Sequence, residues 1–173
     1  SLIKSEAFLV SKNIMFDLVL FPTPTIFVNN LLKGIKLSKN GFKYLLLKDI
    51  FPQNAIDLKF LKPNSFFAKY FEKVESKLYD NVDFIGCMSE ANKSYIINEK
   101  SVNKKKIEVN PNSVNLSKYP KLESNVFRKA ENILNDDLVF VYGGNLGKPQ
   151  VINKIIKIGK YIENNSSIYF IIC

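Results

Sequence analysis

The 173-residue sequence contains no histidine and no tryptophan. Without an imidazole there is no Ser-His-Asp or Cys-His catalysis, no histidine zinc site and no histidine general base. Most of the common hydrolase and metalloenzyme classes are thereby excluded. Any proton transfer would fall to Asp, Glu, Lys or Tyr side chains.

Cysteine is scarce as well. Cys87 and Cys173 each close an apolar run and have no Cys-x-x-Cys partner, which is typical of buried free thiols in a reducing compartment. The sequence has no secretory leader pattern, and no apolar run approaches the roughly 20 residues of a membrane-spanning helix. We therefore expect a cytoplasmic protein that is neither secreted nor transmembrane.

The net charge is +9, but Arg128 is the only arginine among the 25 basic residues. Base and phosphate recognition in nucleic acids favours the arginine fork, so we expect no nucleic-acid partner. Lysine-rich charge is compatible with pyrophosphate groups and with an anionic membrane surface. The run Lys104-Lys105-Lys106 is interpreted as a solvated turn.

Short runs rich in Val, Ile and Phe alternate with longer amphipathic stretches, the pattern of an α/β protein with Rossmann-like parallel sheets. Several runs are apolar on both faces, as buried parallel strands are. The predicted strands are residues 17–21, 42–47, 82–88, 107–110, 138–142 and 168–173. We expect the first three to share one parallel sheet and those from Leu138 onward to start a second.

Four helices are predicted between these strands. One begins after Ser65 and carries Phe67, Tyr70, Phe71, Val74 and Leu78 at helical spacing. Another begins at Ser89, a third covers residues 126–134, and a fourth follows Pro149 at the preferred first-turn position.

A polar stretch around Asn112 separates two βα patterns and predicts a domain boundary. We expect residues 1–111 to form one domain, 112–137 a linker and helix, and 138–173 the start of a second domain. Ser1 is not an initiator Met and the last strand has no covering helix. The chain is therefore expected to be an internal fragment of a longer protein.

A glycine-rich turn between a strand and a helix is the clearest candidate site. Glycines let backbone N–H groups approach an anion, and the first turn of the helix adds unpaired N–H groups. The spacing is neither G-x-G-x-x-G nor that of a P-loop, and a turn without a ligand is an equally good interpretation. The candidate anion-binding residues are Gly143, Gly144, Asn145, Leu146, Gly147 and Lys148.

Asp49 follows a predicted strand, at the end where ligands bind in open parallel sheets. It is a candidate for orienting a hydroxyl group, although in isolation a polar strand end before the Pro52 turn is the better interpretation. Ser89 and Glu90 are most simply an N-cap and a first-turn acid. Asn112 and Ser113 are most simply part of a turn.

Taken in order, several motifs resemble glycosyltransferase family 4, closest to its capsule and exopolysaccharide enzymes. Each motif is weak alone, and their order and spacing over residues 16–173 make the likeness specific. The motifs are Asp17-Leu-Val-Leu-Phe-Pro, Asp49-Ile-Phe-Pro with Ala55-Ile-Asp-Leu, Met88-Ser-Glu-Ala, Val109-Asn-Pro-Asn-Ser-Val-Asn and Val141-Tyr-Gly-Gly-Asn-Leu-Gly.

This resemblance implies parts of two GT-B domains and a retaining transfer of a sugar from a nucleotide-diphosphate donor to a lipid-linked or saccharide acceptor. It implies no cofactor and no metal. Asp49 would lie in the acceptor-side cleft, Asn112 and Ser113 in the interdomain loop, and residues 143–148 under the donor diphosphate. Peripheral attachment to the inner face of the plasma membrane is also implied.

The sequence departs from the family pattern in the donor region. Asn145 stands where a phosphate-contacting basic residue is usual, the lysine expected about one turn later is replaced around Gln150 and Val151, and two glutamates seven residues apart are absent. We therefore expect this chain alone to have negligible transferase activity. Two rivals stay open: a non-catalytic α/β module that binds phosphate or nucleotide, and a basic RNA-interacting domain.

Overall fold

The computed structural model describes residues 14–24, 26–116, 126–147 and 150–173. The chain divides into two compact units between Ser113 and Val114. Each unit contains a sheet whose described strands are all parallel. The predicted α/β class with parallel sheets is confirmed, and so is the separation of the early strands from those that begin at Leu138.

The first unit has a four-stranded sheet with helices between its strands. Its strands are β1 (Met15–Pro22), β2 (Lys36–Leu47), β3 (Phe84–Cys87) and β4 (Ile107–Val109). Its α-helices are α1 (Asn29–Gly34), α2 (Gln53–Asp57), α3 (Phe66–Asp80) and α4 (Glu90–Lys100). Single 3₁₀ turns cover Ile26–Val28 and Lys104–Lys106.

The strands of this sheet lie in chain order, β1-β2-β3-β4. Parallel neighbours need crossover connections, and such connections are almost always right-handed. A series of right-handed crossovers that always moves in the same direction places its helices on one face of the sheet. The order of the strands therefore predicts one covered face.

The core lies on that covered face. Leu45 pairs with Ile85 and Leu47 with Cys87, so these four side chains point to the same side of the sheet. They form one buried cluster with helix and loop residues. The helix and loop members are Ile26, Val28, Leu32, Leu78, Tyr79, Val82 and Ile96, with Ile107 from β4.

The alternate residues of the strands leave the other face largely open. Leu18 pairs with Phe42, and Leu20 with Tyr44, which pairs in turn with Phe84. Leu18, Leu20, Phe42 and Phe84 are all exposed, and the rings of Phe42 and Phe84 meet edge to face at 5.4 Å between centroids. Among the described residues of this unit, the sheet thus buries one apolar face and exposes the other.

The second unit contains α5 (Val126–Ala130), β5 (Leu138–Tyr142), α6 (Ile152–Ile162) and β6 (Ile168–Ile172). The two strands pair in register from Leu138 with Ile168 to Tyr142 with Ile172. Arg128 donates to the carbonyl oxygens of Leu134 at 2.7 Å and Asp137 at 3.1 Å. The single arginine of the sequence is therefore used to hold the loop before β5.

The predicted strands all form, but three details of the prediction differ from the structure. The third helix stops at Ala130 rather than Leu134, because Asn132 adopts a left-handed conformation (φ 55°) and Ile133 N–H bonds the Arg128 carbonyl at 2.8 Å, which closes the helix end. The predicted burial of Cys173 is wrong, since its thiol is exposed, whereas Cys87 is buried. The last helix begins at Ile152, and Pro149 lies outside the described residues.

Helices α3 and α4 are joined by a buried ion pair. Glu75 is only 1% exposed; one carboxylate oxygen is 3.0 Å from Lys100 Nζ and the other accepts from the Tyr79 hydroxyl at 2.7 Å. Burial raises the pKa of Glu75 even though Tyr79 and Lys100 act to lower it. Burial alone would lower the pKa of Lys100, but the hydrogen bond and charge of Glu75 outweigh it, so that this pKa is raised.

Replacing Lys100 with Met should destabilise the fold in a pH-dependent way. The variant leaves the Glu75 carboxylate buried without its cation, and we expect the free energy of unfolding at neutral pH to fall by about 3 kcal/mol. A carboxyl group whose pKa is raised in the folded state destabilises the fold when it is ionised. This destabilisation disappears on acidification, as the pH falls through the raised pKa of the folded state towards the ordinary value of 4.5. The loss should therefore shrink on acidification, as measured by urea unfolding at several pH values.

Lys93→Met is the matched control, because Lys93 and Glu90 form an exposed pair at 3.8 Å. We expect it to cost less than about 0.5 kcal/mol at any pH. Adding Glu75→Gln to Lys100→Met should restore much of the stability. Equal losses for the two lysine variants, or a Lys100→Met loss that does not change with pH, would contradict the assignment.

Candidate functional site

The carboxyl ends of β1, β2 and β3 meet at one edge of the first sheet, because parallel strands all end on the same side. Thr23 follows β1, Lys48 and Asp49 follow β2, and Ser89 follows β3. Residues distant in the chain are thereby brought to one place. The position expected for Asp49, at the ligand side of a parallel sheet, is the one it occupies.

Asp49 is held there through its backbone. The Thr23 hydroxyl accepts from the Asp49 N–H at 2.8 Å, and the Thr23 N–H donates to the Leu46 carbonyl at 3.0 Å. The Thr23 side chain is buried, so its hydroxyl has a fixed position. The Asp49 side chain takes no part in this bond and is exposed.

A cavity of about 310 Å³ opens beside Asp49. It lies between the segment that follows β2, including α2, and the first turns of α4. Its lining contains two carboxylates and one lysine, with three side-chain amides and one phenol. The lining residues are Lys48, Asp49, Ile50, Gln53, Asn54, Asp57, Ala91, Asn92 and Tyr95.

One wall of the cavity is a chain of hydrogen bonds. The Tyr95 hydroxyl donates to Gln53 Oε1 at 3.1 Å, and Gln53 Nε2 donates to Asp57 Oδ1 at 2.8 Å. Burial raises the pKa of Tyr95, so the phenol keeps its proton and remains a donor at neutral pH. The chain fixes the orientation of the Gln53 amide and links α2 to α4.

Asn54 leaves an unused acceptor at the same cavity. Its side-chain oxygen Oδ1 is buried and has no hydrogen-bond partner among the described residues. A buried acceptor of this kind is costly unless water or a ligand donates to it. The cavity thus offers carboxylate, amide and phenol groups, which suit the hydroxyl groups of a neutral polyol better than an anion.

Sequence reasoning identified Asp49 but not Gln53, Asn54, Asp57 or Tyr95. Gln53 and Asp57 are four residues apart in α2, and this spacing places two side chains on one face of a helix, so the sequence pattern could have indicated that they act together. No sequence pattern indicated Tyr95, because its contact with Gln53 spans 42 residues. Ser89 acts as predicted: its Oγ caps α4 by accepting from the Asn92 N–H at 3.2 Å.

The glycine-rich turn lies at the carboxyl end of β5, in the second unit. Gly144 adopts φ 155°, which disfavours other residues, and its N–H donates to the Cys173 carbonyl at 3.2 Å. The Tyr142 hydroxyl donates to the Asn145 carbonyl at 3.0 Å and fixes the start of the turn. The Gly144 N–H thus has a partner within the sheet and is not available to an anion.

The remaining part of the turn faces the start of α6. A cavity of about 330 Å³ is lined there by Leu146, Gly147, Val151, Ile152 and Asn153. Ile152 and Asn153 begin α6, and the first N–H groups of a helix have no acceptor within it. A Cβ built on Gly143 would have no atom within 4 Å, so its backbone is open to a ligand. Lys148, also predicted at this site, lies outside the described residues.

Asn112 and Ser113 are exposed and irregular, and they directly precede the division between the two units. Among the described residues, no group of three or more His, Cys, Asp or Glu side chains is arranged to hold a metal ion. The two cavities at strand ends are considered separately, one in each unit.

Thr23→Val should release the segment that carries Asp49. The variant keeps the shape of the side chain but leaves the Asp49 N–H without an acceptor, and we expect the free energy of unfolding to fall by about 2 kcal/mol. The Asp49 amide should also exchange its hydrogen faster. Thr23→Ser, which keeps the hydroxyl, is the control. Slow exchange of the Asp49 amide in Thr23→Val would contradict the assigned role.

Comparisons with models of known protein families and with curated protein sequences give no match to this chain. The geometry of the two cavities and the motifs of the sequence are therefore the basis on which a function is inferred.

Proposed function

We propose that the chain is part of a retaining glycosyltransferase that moves a sugar from a nucleotide-diphosphate donor to a lipid-linked or saccharide acceptor in cell-surface polysaccharide biosynthesis, such as that of a capsule. The observation that supports the proposal is the presence of two parallel α/β units, each with a cavity near the carboxyl ends of its strands. The ordered motifs of residues 16–173 support it independently.

The second unit is assigned to the donor. A nucleoside diphosphate gains negative charge as it leaves the sugar, and fixed N–H donors stabilise that charge, each contributing about 10²–10³ in rate. Gly147 and the first turn of α6 line an open cavity, and we assign their backbone N–H groups, with that of the nearby Gly143, as these donors. Because Arg128 is used within the fold, side-chain charge for the diphosphate is assigned to Lys148.

The first unit is assigned to the acceptor. Asp49, Asp57, Asn54 and Gln53 present oxygen and amide groups that match the hydroxyl groups of a saccharide. Two carboxylates against one lysine disfavour a second anion in this cavity. Asp49 is the residue we assign to the acceptor hydroxyl, because its backbone is fixed by Thr23 and its carboxylate is exposed.

No metal or other cofactor is assigned to the reaction, and Asn112 and Ser113 are assigned to the loop between the two units. We place the protein in the cytoplasm at the inner face of the plasma membrane. None of the described helices is long and apolar enough to cross a bilayer.

The remaining candidate is a non-catalytic module that binds phosphate or nucleotide, which the geometry of the second unit alone would satisfy.

Adding UDP or GDP to the isotope-labelled chain should shift the amide resonances of Gly143, Asn145 and Gly147 more than those of the first unit. Gly147→Val should abolish the shift, because Gly147 lines the cavity and a side chain there blocks close approach of the backbone to the ligand. Lys148→Ala should weaken binding by about 1 kcal/mol and reduce its salt dependence. Lys154→Ala, in α6, is the control for a lysine outside the turn.

The same spectra distinguish the two candidate functions. A neutral disaccharide such as maltose should shift the resonances of Asp49, Gln53 and Asn92 if the first unit binds a saccharide acceptor, and Asp49→Asn should weaken that response. A response to nucleotide alone would favour the non-catalytic module. No response of residues 143–147 to either nucleotide at millimolar concentration would overturn the donor site and the nucleotide-binding module alike.

A further inference from the structure

Helix α3 has an unusual outer face. One side of the helix carries Phe66, Lys69, Tyr70, Lys73 and Lys77. The last four follow Phe66 by three, four, seven and eleven residues, and this spacing places side chains on the same face of a helix. The opposite side is the one buried in the core, through Ala68, Glu75, Leu78 and Tyr79. Aromatic side chains therefore occupy the face of the helix that points away from the core of the first unit.

The aromatic residues of the first turn are strongly exposed. Phe66 is 79% exposed, Phe67 62% and Tyr70 48%. The rings of Phe66 and Phe67 meet edge to face with centroids 5.8 Å apart. Three adjacent aromatic side chains in water mark an interaction surface rather than scattered surface residues. We call Phe66, Phe67, Tyr70, Lys69 and Lys73 the aromatic–lysine surface.

Lysines predominate among the charged residues around these rings. Lys69 and Lys73 are exposed beside them, and Lys62 lies one turn before the helix, where its carbonyl accepts from the Ser65 N–H at 3.3 Å. Of the three acidic residues of α3, Glu75 is buried, Asp80 is the last residue of the helix, and Glu72 is exposed but lines a cavity with Lys100 on the α4 side. Exposed aromatic rings surrounded by lysines are complementary to the headgroup region of an anionic bilayer.

We infer that the aromatic–lysine surface docks the protein on an anionic lipid bilayer, with Phe66, Phe67 and Tyr70 inserted at the headgroup level and the lysines over the lipid phosphates. The charge of the surface favours this occupant over a second copy of the chain, since two copies would bring like-charged lysines together. The inference concerns the first unit alone and does not depend on the function proposed for the second.

The surface continues towards the Asp49 cavity. Phe71 lies beside Tyr70, with ring centroids 5.5 Å apart, and its ring meets that of Phe51 at 5.1 Å. Phe51 is two residues after Asp49. If the cavity takes the acceptor, as the proposed function has it, docking at this surface would place the cavity near the bilayer, where a lipid-linked acceptor has its saccharide.

The absence of tryptophan provides a direct test. Phe67→Trp places one reporter in the surface, and Tyr161→Trp places one on α6, where Tyr161 is 90% exposed. Vesicles of phosphatidylcholine with about a third phosphatidylglycerol should shift the emission of the first variant to the blue, and brominated lipids should quench it. The second variant should not respond. Equal responses, or no response at position 67, would overturn the inference.

Charge reversal tests the lysines separately. Each lysine near an anionic surface contributes about fivefold to binding, so Lys69→Glu with Lys73→Glu should lower the vesicle partition coefficient at least about twentyfold. Lys104→Glu with Lys105→Glu changes the net charge equally at an exposed turn of the same unit and should have a much smaller effect. Equal losses for the two pairs would mean non-specific attraction and would contradict the proposed surface.

The same reporter distinguishes a protein partner. A blue shift at position 67 that grows with protein concentration in the absence of lipid, accompanied by a dimer in analytical ultracentrifugation, would assign the surface to a second copy of the chain and overturn membrane docking. Nucleotide-induced resonance shifts at residues 143–147 are measured without vesicles. A failure of docking is therefore distinguishable from a failure of the proposed donor site.

Discussion

Parallel pairing of β1, β2 and β3 is the constraint on which both the core and the candidate site of the first unit depend. It places Leu45 beside Ile85 and Leu47 beside Cys87 on the face that the helices bury. The same pairing brings all three carboxyl ends to one edge, where Thr23 fixes the backbone of Asp49. A register shift of one residue would expose the core side chains and also separate these strand ends.

Periodicity and strand-end logic predicted the parallel α/β architecture and the position of Asp49, because both follow from local sequence. The α1 segment and the first residues of β2 were missed, since Lys36, Ser38 and Asn40 give little strand signal and the start of β2 pairs with β1 through Lys36 and Leu37 only in the folded sheet. The link from Tyr95 to Gln53 is a contact between distant residues, which no local pattern encodes. Likewise, the glycine motif did not reveal that the Gly144 N–H is used by the sheet.

Helix α3 differs from an ordinary amphipathic helix in two ways, because it buries a charged residue on its inner face and exposes aromatic residues on its outer face. Its inner face buries the Glu75 carboxylate, which is tolerated because Lys100 forms an ion pair with one oxygen and Tyr79 donates a hydrogen bond to the other. Its outer face exposes phenylalanine, for which nothing within the described residues of the unit compensates. Folding accounts for the first departure, since the ion pair joins α3 to α4. It does not account for the second, which is why a role outside the fold is assigned to that face.

The two units offer different kinds of chemistry, and the absence of histidine makes the difference consequential. The first unit presents side-chain oxygen and amide groups around Asp49, which suit hydroxyl groups, whereas the second presents backbone N–H groups at a strand-to-helix turn, which suit an anion. Neither set provides a nucleophile with an adjacent base. In the proposed sugar transfer, the leaving group is stabilised by N–H donors and the acceptor hydroxyl is oriented by a carboxylate. The proposal therefore requires no imidazole, which is the chemical reason we prefer it to hydrolysis by a catalytic triad.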